Sequence, residues 1–83
     1  MLLITYSRDA QKALRKIPGK QKLRILTAIE KVAEDPARDD LDIKKLQGRP
    51  GFRLRLGDYR VIYSEDGVIL DIEDIGPRGS IYR

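Results

Sequence analysis

Arg53, Arg55 and Arg60 stand in the stretch FRLRLGDYRVIY, interleaved with apolar residues. In an extended chain successive side chains alternate between faces, so Arg53 and Arg55 share one side and Phe52, Leu54 and Leu56 the other. Gly57-Asp58 reads as a two-residue hairpin turn, which sets the register of the strands it joins. Residue 56 then faces 59, 55 faces 60, 54 faces 61 and 53 faces 62. Arg55 and Arg60 are directly opposed, with Cβ atoms about 4.5–5.5 Å apart. Arg53 lies on the same side, about 6.7 Å along the strand. Opposed like charges cost a fraction of a kcal/mol in solvent. A cluster that carries this cost suits phosphate, because guanidinium groups bind it in planar, bidentate fashion and stay charged at physiological pH.

An ordinary surface explanation competes with this. If Asp66-Gly67 is also a two-residue turn, residue 60 faces Glu73 and residue 62 faces Asp71, giving a surface ladder of Arg60–Glu73 pairs worth little energy. As an anion site, the arginines are instead pre-positioned on neighbouring strands, and sheet faces serve as platforms for single-stranded RNA. The tail GPRGSIYR adds Arg78, Tyr82 and Arg83. It is either a frayed basic terminus or an aromatic placed for base stacking. Tyr59 and Tyr63 fall on the apolar side and read as packing residues. DIED (71–74) puts Asp71 and Glu73 on one face among arginines, fewer oxygen ligands than a divalent cation takes. No metal or cofactor is expected.

Composition narrows the chemistry. The chain has no cysteine and no histidine, which removes thiolate nucleophiles and the usual acid, base and metal ligand near neutral pH. Its 17 Lys and Arg against 13 Asp and Glu give a net charge of +4, which favours nucleic acid or an acidic protein as partner. The 83 residues suffice for one domain spanning 1–83, with a thin core. No apolar run is long enough to cross a bilayer and no signal-peptide pattern opens the chain, so a soluble cytoplasmic domain is expected.

The elements that must hold the arginines follow from periodicity. LLITY (2–6) reads as a strand, and Ser7 as a helix N-cap. Ala10, Ala13, Leu14 and Ile17 recur at helical spacing until Pro18-Gly19. A second helix, about Lys20 to Glu34, carries Ile25, Leu26, Ile29, Val32 and Ala33 on its apolar face and ends before Asp35-Pro36. Residues 36–50 have no sustained period. There Leu41, Ile43 and Leu46 pin the segment to the core, while Lys44, Lys45 and Arg49 stay in solvent. Strands are expected at 52–56, 59–64 and 68–75. The result is an α+β domain of order β-α-α-β-β-β, a small antiparallel sheet with a helical hairpin packed on one face.

KKLQGRPGFRLRLGDYRVIY followed by GPRGSIYR resembles the RelE/ParE toxin superfamily of bacteria and archaea, over essentially the whole chain. The resemblance implies the toxin of a type II toxin–antitoxin pair, bound by a cognate antitoxin in a hetero-oligomer. Its RelE branch cleaves mRNA in the ribosomal A site; its ParE branch shares the fold and poisons DNA gyrase without nuclease activity. By motif position the RelE-type catalytic set becomes Arg53, Arg55, Arg60, Arg78 and Tyr82, with Lys44, Lys45, Arg49 and Arg83 adding RNA-binding charge. The full arginine set with Tyr82 favours the endoribonuclease, with the ribosome and mRNA as partners. The implied reaction is attack of the ribose 2′-OH on the adjacent phosphate, giving a 2′,3′-cyclic phosphate and a 5′-hydroxyl. RelE often carries lysine where this chain has Arg53 and Arg55, and arginine is a poor base at neutral pH. Tyr82 or a ribosomal group must then take the proton, or the reaction is slow. An inactive member or a plain basic binding module is the remaining alternative. The helical hairpin is the expected docking face for an amphipathic antitoxin helix.

Overall fold

Ser7 starts the first helix through its side chain, whose Oγ accepts a hydrogen bond of 3.0 Å from the Ala10 amide. The same hydroxyl donates to the Glu73 carbonyl at 2.5 Å, tying the helix start to the sheet. The structure, a computed structural model, describes residues 1–77. Helix α1 spans Arg8–Lys16 and α2 Gly19–Glu34, with Pro18 at the break between them. The strands are β1 (Leu3–Tyr6), β2 (Asp42–Lys45), β3 (Phe52–Leu56), β4 (Tyr59–Glu65) and β5 (Ile69–Pro77). They form one sheet in the order β1-β5-β4-β3-β2. None of the described helices is long and apolar enough to cross a membrane.

The α+β architecture, the helical pair and the three C-terminal strands agree with the sequence reading. Two features extend it. β1 runs parallel to β5 (Leu3 opposite Ile69, Tyr6 opposite Ile72), so the sheet is mixed rather than wholly antiparallel. No tight turn joins β1 to its neighbour, and a strand returning after two helices has no local rule for its direction. Residues 42–45, which show no period of their own, add an edge strand against β3, with Ile43 opposite Leu54.

The core lies between the helices and one face of the sheet. It gathers Ile25, Ala28, Ile29, Val32 and Ala33 of α2 with Leu54, Val61, Tyr63, Leu70, Ile72 and Ile75 of the sheet. Leu26, assigned to the apolar face from periodicity, is only half-buried, and Ala28 takes a core place. A small side chain lets the helix backbone approach the sheet closely. The register of β3 against β4 is the one that the two-residue turn dictates: Leu56 faces Tyr59, Arg55 faces Arg60, Leu54 faces Val61 and Arg53 faces Ile62. Gly57 has φ +57° and Asp58 a negative φ, the pattern of a type II′ hairpin turn.

Gly51 enters β3 with φ +118°, and a Cβ there would stand 2.9 Å from the Tyr63 carbonyl oxygen. Gly51→Ala is expected to lower stability by about 1–3 kcal/mol, read as a lower urea midpoint at unchanged m-value. Gly48→Ala, where a Cβ meets nothing within 4 Å, should cost less.

Candidate functional site

The sheet face turned away from the helices carries the arginines in two cross-strand rows. Lys44, Arg53, Ile62 and Asp74 form one row across β2, β3, β4 and β5; Asp42, Arg55, Arg60 and Gly76 form the other. Arg53, Arg55 and Arg60 are all half-buried, less exposed than free surface arginines. Ile62 accounts for this. It is 4% exposed although it lies outside the helix-covered core. Its register neighbours are Arg53 and Asp74, with Arg60 two residues away on the same strand, and the long arginine side chains have apolar stems suited to covering such a residue. An apolar residue at a position of polar parity was the sequence signal for such a floor.

The acids that were expected to neutralise this face are placed elsewhere. Arg60 faces Gly76, not Glu73, and Ile62 faces Asp74, not Asp71. Two local features shift the register. The Asp66 carboxylate accepts hydrogen bonds from the Val68 amide at 2.9 Å and the Ile69 amide at 2.8 Å. These bonds hold its carboxyl below the usual carboxylate range and shape the loop of residues 66–68 between β4 and β5, with Glu65 opposite Leu70. A bulge between Ile62 and Tyr63 then leaves Glu73 as an extra residue in β5. Glu73 pairs with Arg49 at 2.7 Å. Asp71 accepts from the Thr5 hydroxyl at 3.0 Å, and Asp74 accepts from the Ile75 amide at 2.9 Å. Asp42 pairs with Arg53 at 3.2 Å. None of the ion pairs among described residues involves Arg55.

Of the other residues with expected roles, Lys44 stands directly opposite Arg53 on the arginine face. Lys45 faces Phe52 and so alternates to the other side, and Arg49 is engaged by Glu73. Arg78, Tyr82 and Arg83 lie outside the described residues. Tyr63 is 3% exposed and Tyr59 packs against the core, as expected of packing residues. Phe52 stacks on Tyr63 with ring centroids 5.4 Å apart. Asp42 was missed by sequence reading. Its signal was the alternation Asp42-Ile43-Lys44, legible only once β2 is known to pair with β3.

A family model described as ParE toxin of type II toxin–antitoxin system, parDE, matches residues 4–82. The chain belongs to the RelE/ParE superfamily of type II toxins. Solved RelE structures support the same placement. The RelE–RelB complex of the archaeon Pyrococcus horikoshii OT3 contains a chain 32% identical, with TM-score 0.81, covering 95% of this chain and 97% of that one. The RelB–RelE antitoxin–toxin complex of Methanococcus jannaschii gives 28% identity and TM-score 0.78, over 99% and 95%. The isolated E. coli RelE toxin shares the fold at 21% identity and TM-score 0.78, over 99% and 92%. No curated protein matches. In this RelE/ParE chain the arginine face is built on β3 and β4, whose register is fixed by a turn and whose reverse side is core.

Burial pushes the Tyr63 hydroxyl up to about 12, with a smaller contribution from Glu65. The sign follows directly: the folded chain keeps a proton that the unfolded chain loses near pH 10. The stabilising contribution is complete below pH 10 and is lost as pH rises through 12. Burial, and Glu30 to a lesser degree, also raise Tyr6, which acts in the same direction. Urea denaturation between pH 9 and 12 should show stability falling steadily above pH 10. In Tyr63→Phe that fall should be visibly smaller, with Tyr6 supplying what remains.

Proposed function

We propose that this toxin is a ribosome-dependent endoribonuclease that cleaves mRNA, with Arg55 and Arg60 holding the reacting phosphate. The supporting observation is their direct opposition on the open face of the sheet, with no described acid ion-paired to Arg55. RNA carries its own nucleophile. The ribose 2′-OH attacks phosphorus, the bond to the 5′-oxygen breaks, and that oxygen leaves as a hydroxyl after gaining a proton. A protein that orients this attack and stabilises the dianionic phosphorane needs fixed cations more than a nucleophile. That demand matches a chain without histidine or cysteine. Arg53 supports the same face, while Arg78 near the leaving oxygen and Tyr82 against the base, or as proton acceptor, complete the assignment by family motif.

The partner side of the proposal rests on the relatives, which were crystallised as RelE–RelB complexes. This chain offers a groove of about 460 Å³ between α2 and the β2–β3 side of the sheet. It is lined by the apolar Leu23, Leu41 and Leu56 together with the cationic Lys20, Arg24 and Lys31. An antitoxin helix with an apolar stripe and acidic flanks fits that surface, and co-purification with the product of a neighbouring gene tests it.

The second reading, a toxin that acts on DNA gyrase without cleaving RNA, is favoured by the ParE description of the matching family model. Expression in cells with RNA-end mapping and plasmid supercoiling separates the two. Codon-phased mRNA cuts are expected, reduced about 100- to 1,000-fold in Arg55→Ala and Arg60→Ala and strongly reduced in Arg78→Ala and Tyr82→Phe. Intact mRNA accompanied by gyrase-linked DNA breaks would overturn the nuclease reading.

A further inference from the structure

The geometry points to a second phosphate subsite, formed by Lys44 and Arg53 across the β2–β3 seam, that grips the phosphate next to the one held by Arg55 and Arg60. This rests on the reading of the arginine face as an RNA site, and assigns the direction in which the strand crosses it. Three observations separate the two subsites. Lys44 and Arg53 are register partners on β2 and β3, and Arg55 and Arg60 are register partners on β3 and β4. Asp42 draws the Arg53 guanidinium towards β2 through a contact of 3.2 Å, away from the β3–β4 seam. Arg53 Nε is buried and has no hydrogen-bond partner among the described residues, so the guanidinium is held by its Asp42 edge.

Distances agree with a strand of nucleic acid. Diagonal neighbours on one sheet face lie about 7–8 Å apart, close to the separation of successive phosphates along an extended single strand. A chain laid from the Arg55–Arg60 pair to the Lys44–Arg53 pair therefore puts consecutive phosphates over consecutive cation pairs and leaves the sheet over its β2 edge. Lys45 alternates to the other side of β2 and lies off this track. Asp42 is a positioning residue. It orients Arg53 while its own charge keeps the two cation pairs from collapsing onto one phosphate. Lys44, on the exposed edge strand, contacts a phosphate that does not react, and so contributes to binding rather than to the chemical step.

The test titrates the full chain by NMR with non-cleavable 2′-deoxy ligands, a dinucleotide with one phosphate and a trinucleotide with two. The trinucleotide should bind about tenfold more tightly, and only the trinucleotide should move the amide signals of residues 42–45. Lys44→Gln should abolish that gain and flatten the salt dependence of log K for the trinucleotide by about 0.7. Lys22→Gln on α2 makes the same charge change away from the sheet and should preserve the gain. Arg60→Ala should weaken both ligands. Equal affinity for the two ligands, or a gain that survives Lys44→Gln, overturns the second subsite while the Arg60→Ala effect upholds the first. Binding of neither ligand, with no effect of Arg60→Ala, removes the RNA reading and the second subsite together.

Discussion

The hydrogen-bonded pairing of β3 with β4 holds Arg55 against Arg60, and the arginine face depends on that enforced proximity of like charges. Two guanidinium groups free to move would part. Here the backbone ladder prevents it, and the other side of the same strands prevents slippage, because Leu54 and Val61 are fully buried against the helices. A slip of one residue would carry the arginines into the core and the apolar residues into water. The hydrophobic face thus stabilises an electrostatic arrangement that the two charges by themselves would reject.

The acids of β5 contribute by being drawn elsewhere. The Asp66 loop and the bulge opposite Ile62 together displace β5 against β4, so that Gly76, without a side chain, stands opposite Arg60. Glu73 turns to Arg49 and Asp71 to Thr5. Asp42, from the edge strand β2, stands opposite Arg55 in register and is ion-paired with Arg53. Exposed ion pairs of this kind add little to stability, so their consequence is positional. They decide which cations stay available to a ligand.

The readable parts of the site were those governed by short-range rules. Gly57-Asp58 is a turn with one favoured strand register, so the opposition of Arg55 and Arg60 followed from a few adjacent residues. Ser7 was recognisable as a cap for the same reason. Asp66-Gly67 looked like an equivalent turn and was not, because the Asp66 carboxylate competes for backbone amides and lengthens the loop. The strand at residues 42–45 carries a single apolar residue, Ile43. It exists as a strand because β3 offers an unpaired edge, a fact absent from its own sequence.

Sequence by itself determined the chemistry that is possible and half of its geometry. A chain without histidine or cysteine has no imidazole or thiolate chemistry of its own, and a two-residue turn with alternating apolar residues sets three arginines on one face. Tertiary structure alone decided which acids meet which cations, that Ile62 floors the face, and that Lys44 and Asp42 join it from β2. The division has one physical cause. Turn and alternation rules act over a few residues, whereas the β5 bulge, the parallel seating of β1 and the capture of an edge strand arise from contacts between segments far apart in the chain, which no local pattern encodes.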